Sequence, residues 1–160
     1  EHTVALVVLV LGIAGAQRVF EIIDHEPEIQ NRPGAHTLTE VTSGIHIQGV
    51  TFAYEKEPVL ENINLFIKAG EVVAFVGMSG GGKTTLVSLI PRFYDVTKGR
   101  ICIDGRDIRD ITIESLRAQI GMVTQQTILF NDTVRNNIAY GDIQRTDEEI
   151  FQAAKSANAH

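Results

Sequence analysis

The segment FVGMSGGGKTTLV, residues 75–87, decides the fold class of this 160-residue chain. It places four glycines, a lysine and two threonines between apolar runs. The preceding residues 71–76, EVVAFV, form a nearly continuous apolar run, which is typical of a strand covered on both faces. Apolar residues recur at helical spacing from Lys83 to Phe93, and Pro91 predicts that the helix ends nearby. The predicted order is therefore strand, glycine loop, helix.

The glycine loop matches the P-loop pattern, in which four residues separate Gly77 from Gly82, and Lys83 and Thr84 follow. Glycines let successive backbone N–H groups turn towards an anion, and the helix dipole adds positive potential. Lys83 can bridge the β and γ phosphates, the Thr84 hydroxyl can ligate Mg²⁺, and Thr85 can reach the α phosphate. The alternative is a flexible glycine turn. The predicted phosphate-binding set is Gly77, Met78, Ser79, Gly80, Gly81, Gly82, Lys83, Thr84 and Thr85.

The bulk composition is that of an ordinary globular domain, with 44% hydrophobic and 21% charged residues. The formal net charge of −6 offers no basic footprint for nucleic acid, so we expect no nucleic-acid partner. The single cysteine, Cys102, cannot form an internal disulfide and is expected to pack as a small hydrophobic residue.

An uncharged apolar stretch, residues 3–16, opens the chain. Its roughly 14 residues cover about 21 Å as a helix, which is less than the bilayer's hydrocarbon core of about 30 Å. Glu1 and His2 do not resemble the basic start of a secretory signal. Three interpretations stay open from composition: a buried helix, the remnant of a signal's apolar region, or the last half of a membrane helix.

The rest of the chain alternates between short elements. The helical pattern that continues from the apolar stretch 3–16 is expected to end near Asp24. Residues 25–43, which are rich in Pro, Gly and charge, are expected to form a linker. Alternating patterns predict strands over 45–54, with a bulge at Gly49, and over 59–67. The later elements are a strand at 100–104 closed by an Asp104-Gly105 turn, a helix at 112–119, a strand at 120–125, a helix at 133–140 and a helix that starts with a capping box at Thr146 and Glu149.

Three features resemble the nucleotide-binding domain of ABC transporters, above all exporters of the lipid flippase and multidrug type. They are Met78-Ser79-Gly80 inside the loop, Tyr54 at the end of the first strand, and VTQQTILFNDTVRNNIAYG at 123–141. The resemblance implies a truncated ABC-type ATPase domain of the α/β class, in which a P-loop NTPase core carries an antiparallel β subdomain. It also implies that ATP and Mg²⁺ are the cofactors.

The resemblance assigns roles to individual residues. Tyr54 would stack on adenine, although a packed strand aromatic is the plainer alternative. Gln125 would contact Mg²⁺ and the attacking water and form the catalytic set with Lys83, whereas a polar strand cap is the alternative. Leu129 and Phe130 would face the coupling helices of the membrane domain. Asp104 precedes Gly105, not the glutamate of the family's acidic pair, and is interpreted as a turn residue.

The resemblance also implies an organisation and a location. Residues 1–24 would be the end of the last transmembrane helix with its cytoplasmic extension, 25–43 the linker, and 44–160 the N-terminal part of the nucleotide-binding domain. The implied partners are a second nucleotide-binding domain, as a homodimer, and the transmembrane domain. The intact protein would be an ATPase at the cytoplasmic face of the cell inner membrane, coupling ATP hydrolysis to export.

Several elements that ABC ATPases need for hydrolysis do not occur in the sequence. It has no LSGGQ-like signature, no apolar strand ending in Asp-Glu and no switch histidine, since His160 is the last residue. We therefore expect this chain alone to be inactive. The sequence has two alternative interpretations: a soluble ABC-type ATPase that acts on DNA or ribosomes, and a P-loop GTPase or small-molecule kinase. The guanine-selecting Asn-Lys-x-Asp motif is absent, which disfavours the GTPase.

Overall fold

The computed structural model describes residues 13, 16–21, 23, 24, 26–126 and 128–159. They belong to two compact units, residues 1–121 and residues 122–160. Residues 16–21 and 23 are helical, and the Asp24 amide donates to the Phe20 carbonyl at 2.7 Å, so the predicted end of this helix near Asp24 is confirmed. Most of the apolar stretch 3–16 lies outside the described residues. The described part of the chain holds no helix with the length and apolarity that a bilayer crossing requires.

The first unit contains a four-stranded antiparallel sheet. Its strands are β1 (Gly44–Phe52), β2 (Leu60–Lys68), β3 (Lys98–Ile103) and β4 (Arg106–Asp107), in the order β2-β1-β3-β4. The alternating patterns at 45–54 and 59–67 thus predicted two strands correctly. The predicted bulge is also confirmed, because the register of β1 shifts between Ile47 and Val50 and Gly49 has φ 58°.

The β3–β4 hairpin turns at Asp104 and Gly105. Their φ values of 50° and 81° are the positive pair that a tight two-residue hairpin needs. The prediction that Asp104 is a turn residue is therefore confirmed.

Besides helical residues 16–21 and 23, the described part of the first unit includes three short helical segments. They are α1 (Lys83–Leu89), a 3-10 helix (Ile108–Asp110) and α2 (Ile113–Ala118). The helices predicted after the glycine loop and at 112–119 are confirmed. The core is formed by apolar side chains of β1, β2, β3, α1, the 3-10 helix, the residue that follows it and α2, namely Ile47, Val50, Phe52, Leu60, Leu86, Leu89, Ile101, Ile103, Ile108, Ile111 and Leu116. Cys102 is buried as well, as its apolar surroundings predicted.

Two predicted strands do not form. Residues 71–76 and 120–125 lie outside any helix or strand. The apolar run 71–76 suggested a strand covered on both faces, and 120–125 a further strand. A strand needs hydrogen-bonding neighbours, and no described strand pairs with either run. Val72 and Val123 are consequently 96% and 97% exposed.

The described residues of the predicted linker, 26–43, form no helix and no named strand, but they are bound to the domain along much of their length. Asn31 exchanges hydrogen bonds with the Glu114 carboxylate (2.9 Å) and the Ile113 amide (2.7 Å). The Leu38 amide donates to the Ser115 hydroxyl at 2.9 Å. These contacts fix the path of residues 31–38 beside α2.

Asp104 binds the end of this segment just before β1. Its carboxylate accepts hydrogen bonds from the Ser43 and Gly44 amides (2.7 and 2.9 Å) and from the amide and hydroxyl of Thr42 (2.8 and 3.0 Å). The backbone N–H groups of Thr42 and Gly44 stabilise the ionised form and lower the pKa of Asp104 to about 2.

The second unit contains α3 (Val134–Ile138) and α4 (Asp147–Ser156). Both predicted helices are confirmed, as is the capping box. The Glu149 carboxylate accepts from the Thr146 amide at 2.9 Å, while the Glu149 amide donates to the Thr146 hydroxyl at 3.3 Å. An ion pair between Arg135 and Asp147, 2.6 Å long, joins the two helices.

Candidate nucleotide-binding site

The glycine loop has a backbone that few other residues could adopt. Gly77, Gly80 and Gly82 have φ values of 149°, 79° and 77°. Gly82 precedes α1, and its carbonyl accepts from the Leu86 amide at 2.9 Å. The loop thus changes direction and delivers the chain into α1, which places the N-terminal end of the helix dipole at the loop.

The glycines differ in what surrounds them. A Cβ at Gly82 would lie 2.7 Å from Leu60 Cδ2 and 3.1 Å from the Val59 carbonyl oxygen, so this residue must be small to let the loop pack on β2. A Cβ at Gly77 or Gly80 would meet nothing within 4 Å. One side of the loop is therefore packed against the sheet, and its Gly77 and Gly80 positions are open to an approaching ligand.

The Lys83 side chain is hydrogen-bonded to the backbone of the glycine loop that precedes it. Its ammonium nitrogen Nζ donates to the Gly77 carbonyl at 2.9 Å and to the Met78 carbonyl at 2.5 Å. The only cation of the loop is thus held at the loop's own backbone, where phosphate oxygens could compete for the same donors. The bridging role of Lys83 between two phosphates stays a prediction.

The two threonines after Lys83 differ in exposure. Thr84 is exposed and Thr85 is 8% exposed. The Thr85 hydroxyl oxygen lies 3.2 Å from the Tyr54 hydroxyl oxygen. No cluster of three or more His, Cys, Asp or Glu that could hold a metal occurs in the described ranges. If Mg²⁺ binds at the loop, the exposed Thr84 hydroxyl is a protein ligand of the kind that the P-loop pattern supplies, and phosphates and water would complete the sphere.

Tyr54 lies beside the loop, beyond the end of β1, and its side chain is 53% exposed. Its ring packs perpendicular to Phe52 (centroids 4.8 Å apart, 85°) and to Tyr94 (5.2 Å, 89°). A cavity of about 340 Å³ adjoins the ring and is lined by Glu28, Ile29, Phe52, Ala53, Tyr54, Tyr94 and Asp95. Tyr54 is therefore a half-exposed aromatic beside a cavity, and its hydroxyl is within hydrogen-bonding distance of Thr85 in α1.

Gln125 belongs to the second unit. It is exposed and lies outside the helices and strands, as does its neighbour Gln126, whose carbonyl accepts from the Thr124 hydroxyl at 2.6 Å. Its assignment to Mg²⁺ and the attacking water stays a prediction.

The residues predicted to face the membrane domain are also in the second unit. Leu129 is 78% exposed, and the Phe130 ring stacks on Tyr140 with centroids 4.3 Å apart. The Asn137 side chain fixes Phe130 by accepting from its amide at 2.8 Å and donating to its carbonyl at 3.1 Å. The unit thus presents an ordered apolar surface, and the identity of what covers it stays a prediction.

Tyr94, Glu28 and Ile29 line the cavity beside Tyr54 but were not among the predicted site residues. Their position depends on tertiary structure. The pairing of Thr51 with Lys98 in the antiparallel β1–β3 ladder brings the residues after β1 alongside those before β3. The only sequence signal for Tyr94 was an aromatic residue shortly after Pro91.

Comparisons with known proteins agree with this geometry. The profile of the family described as "ABC transporter" matches residues 60–160. The ATP-dependent lipid A-core flippase of Syntrophus aciditrophicus is 67% identical over 149 residues, which cover 93% of this chain and 25% of the flippase. A Bacillus subtilis protein, YgaD, named as a multidrug export ATP-binding/permease protein, is 54% identical over 154 residues, or 95% of this chain and 27% of that protein.

A solved structure shows the same fold. The structure of a bacterial Atm1-family ABC exporter with ATP bound superimposes with a TM-score of 0.86 at 40% identity, covering 93% of this chain and 26% of the exporter chain. The predicted fold class, an ABC-type ATPase domain, is confirmed, although this chain spans only about a quarter of the length of these relatives. The chain belongs to the ABC transporter family.

Proposed function

We propose that this chain is the ATP-binding portion of an ABC exporter that couples ATP binding and hydrolysis to transport across a membrane. One observation carries the proposal: Gly77, Gly80 and Gly82 of the loop have positive φ, and Lys83 Nζ is held on the loop's carbonyls at 2.9 and 2.5 Å. The flippase and exporter names of the relatives favour transport over a soluble ABC-type ATPase.

Within this site, different residues would bind different parts of the nucleotide. Backbone amides of the loop and Lys83 would bind the β and γ phosphates, Thr85 the α phosphate, and Thr84 would ligate Mg²⁺ together with Gln125. The half-exposed Tyr54 ring would stack on the adenine. The Tyr54–Thr85 hydroxyl contact supports this division, because it places the aromatic next to the phosphate-binding loop.

The whole protein is proposed to contain partners for these groups. A second copy of the nucleotide-binding domain, in a homodimer, would supply a signature loop, and the transmembrane domain would contact the surface formed by Leu129 and Phe130. Residues 1–24 would be the end of the last membrane helix, 25–43 the linker and 44–160 the start of the domain. The domain would then work at the cytoplasmic face of the cell inner membrane.

A hybrid exporter tests this function. In the hybrid, this sequence replaces the aligned 149-residue segment of the Syntrophus aciditrophicus flippase. Purified and reconstituted in lipid vesicles, the hybrid should hydrolyse ATP in the presence of Mg²⁺, and the Lys83→Ala hybrid should not. A hybrid that inserts and assembles like the parent flippase yet shows no Lys83-dependent hydrolysis would contradict the proposal.

A further inference from the structure

A second aromatic residue, Tyr94, packs against Tyr54, and no sequence motif identifies it. We propose that Tyr94 is a positioning residue, which fixes the Tyr54 ring in the orientation needed to stack on the nucleotide base. The inference rests on the proposed function, in which Tyr54 provides the stacking face. Tyr94 itself need not touch the nucleotide.

The geometry around Tyr54 leaves its ring little freedom. Phe52 and Tyr94 pack against it at 85° and 89°, and their own rings are 5.6 Å apart. The hydroxyl at the far end of the Tyr54 ring is 3.2 Å from Thr85 Oγ1. Phe52 is 3% exposed and belongs to the core, so its ring is fixed on the buried side of Tyr54. Tyr94 is 43% exposed and packs against Tyr54 at the surface.

The segment that carries Tyr94 is itself locked. Arg92, 3% exposed, binds the Asp95 carboxylate through two nitrogens, at 2.7 and 3.0 Å. Arg117 donates to the Pro91 and Arg92 carbonyls at 3.0 Å each. Tyr94 lies between these two anchor points, so its backbone can serve as a fixed support.

A fixed support has a thermodynamic consequence. A free aromatic side chain loses rotamer entropy when it stacks on a ligand, whereas one already held in place has lost that freedom during folding. Loss of the Tyr94 ring should therefore weaken binding of a nucleotide base and leave binding of the phosphates unchanged. This selectivity distinguishes a positioning role from general destabilisation.

The test compares two ligands on the full chain and, in parallel, on the hybrid exporter. ATP has a base and inorganic tripolyphosphate has none, so calorimetric titration of both with Mg²⁺ separates the two contributions. Tyr94→Ala should weaken ATP binding about twofold to tenfold, the range of one aromatic pair, and leave tripolyphosphate binding unchanged. Tyr94→Phe, which keeps the ring, should restore ATP affinity.

Phe93→Ala is the matched control. Phe93 is 42% exposed, as Tyr94 is at 43%, but its ring lies under the Arg117 guanidinium, 5.1 Å away, and not against Tyr54. This variant should bind both ligands normally. If Tyr94→Ala lowers the melting temperature below the assay range, Tyr94→Leu, which keeps an apolar side chain of smaller size, is titrated in its place.

The outcomes separate this inference from the proposed function. Equal losses for ATP and tripolyphosphate in the Tyr94 variant, or no loss at all while Tyr54→Ala weakens ATP, would overturn the positioning role alone. Unchanged binding of both ligands in Lys83→Ala would overturn the proposed site, and the positioning role with it.

Discussion

The hydroxyl oxygens of Tyr54 and Thr85 lie 3.2 Å apart. The contact joins the loop that follows β1 to the start of α1, within the first compact unit. A proposed base-stacking residue and a proposed phosphate-binding residue are thus connected directly, and the two parts of a nucleotide would meet one continuous surface.

Replacement of Tyr54 tests the stacking role. Tyr54→Ala removes the ring and should weaken ATP binding by about 1–3 kcal/mol, the usual cost of losing one aromatic stacking partner. Tyr54→Phe keeps the ring and loses only the hydroxyl contact with Thr85, so it should cost less than about 1 kcal/mol. Titration with a fluorescent ATP analogue measures both. Equal affinities for the Ala and Phe variants would mean that Tyr54 is only a packing residue.

Two glycines of the loop provide a matched pair for stability. Both have positive φ, 77° at Gly82 and 79° at Gly80, but only Gly82 is packed against Leu60. Gly80→Ala should cost about 1–2 kcal/mol through backbone strain alone. Gly82→Ala should cost roughly a further 1–3 kcal/mol, because the new Cβ overlaps Leu60 Cδ2. Urea unfolding compares them, and a Gly80 variant as unstable as the Gly82 variant would refute the packing argument.

Asp104 should make stability depend on pH in the acid range. Its pKa in the folded chain is lowered to about 2, whereas an unfolded aspartate titrates near about 3.9. A depressed folded pKa means that the stabilisation is complete above the unfolded value and is lost as pH falls towards about 2. Asp104→Asn, which tolerates the residue's positive φ, should remove that part of the slope.

Chemical unfolding at several pH values between about 5 and 2 measures the slope. Glu149, whose pKa is also lowered to about 2 by hydrogen bonds from Thr146 and by Arg145, contributes to the same window and remains in both proteins. The expected result is a shallower slope in the variant. Identical slopes would show that the Asp104 hydrogen bonds to Thr42, Ser43 and Gly44 contribute nothing to folding.

The chain by itself should show no Mg²⁺-dependent ATP turnover. Phosphoryl transfer to water needs a positioned base and charge stabilisation around the γ phosphate. The sequence offers Lys83, Thr84 and Gln125 but neither an Asp-Glu pair after an apolar strand nor an LSGGQ-like segment. A phosphate-release assay measures this directly. Steady release that disappears in Lys83→Ala would show that a catalytic base lies within these 160 residues.

The features that were predictable from sequence are those that a few neighbouring residues determine. The glycine loop, the Asp104-Gly105 turn and the Thr146–Glu149 capping box each depend on local backbone conformation or on side chains within four positions. The prediction of a strand at 71–76 was wrong, because a strand is stabilised by hydrogen-bonding partners and the composition of the segment does not provide them. The contact of Tyr94 with Tyr54 could not be predicted either, because it results from the register of β1 against β3.

A calorimetric titration of ATP with Mg²⁺ into the hybrid exporter and its Lys83→Ala variant tests directly whether residues 77–85 bind phosphate. Lys68→Ala, which removes an exposed lysine at the end of β2, controls for the change in net charge. ATP binding should be lost in Lys83→Ala, because the charge that bridges two phosphates is gone, and should be retained in Lys68→Ala. Unchanged affinity in Lys83→Ala would contradict the assignment of residues 77–85 as the phosphate-binding site.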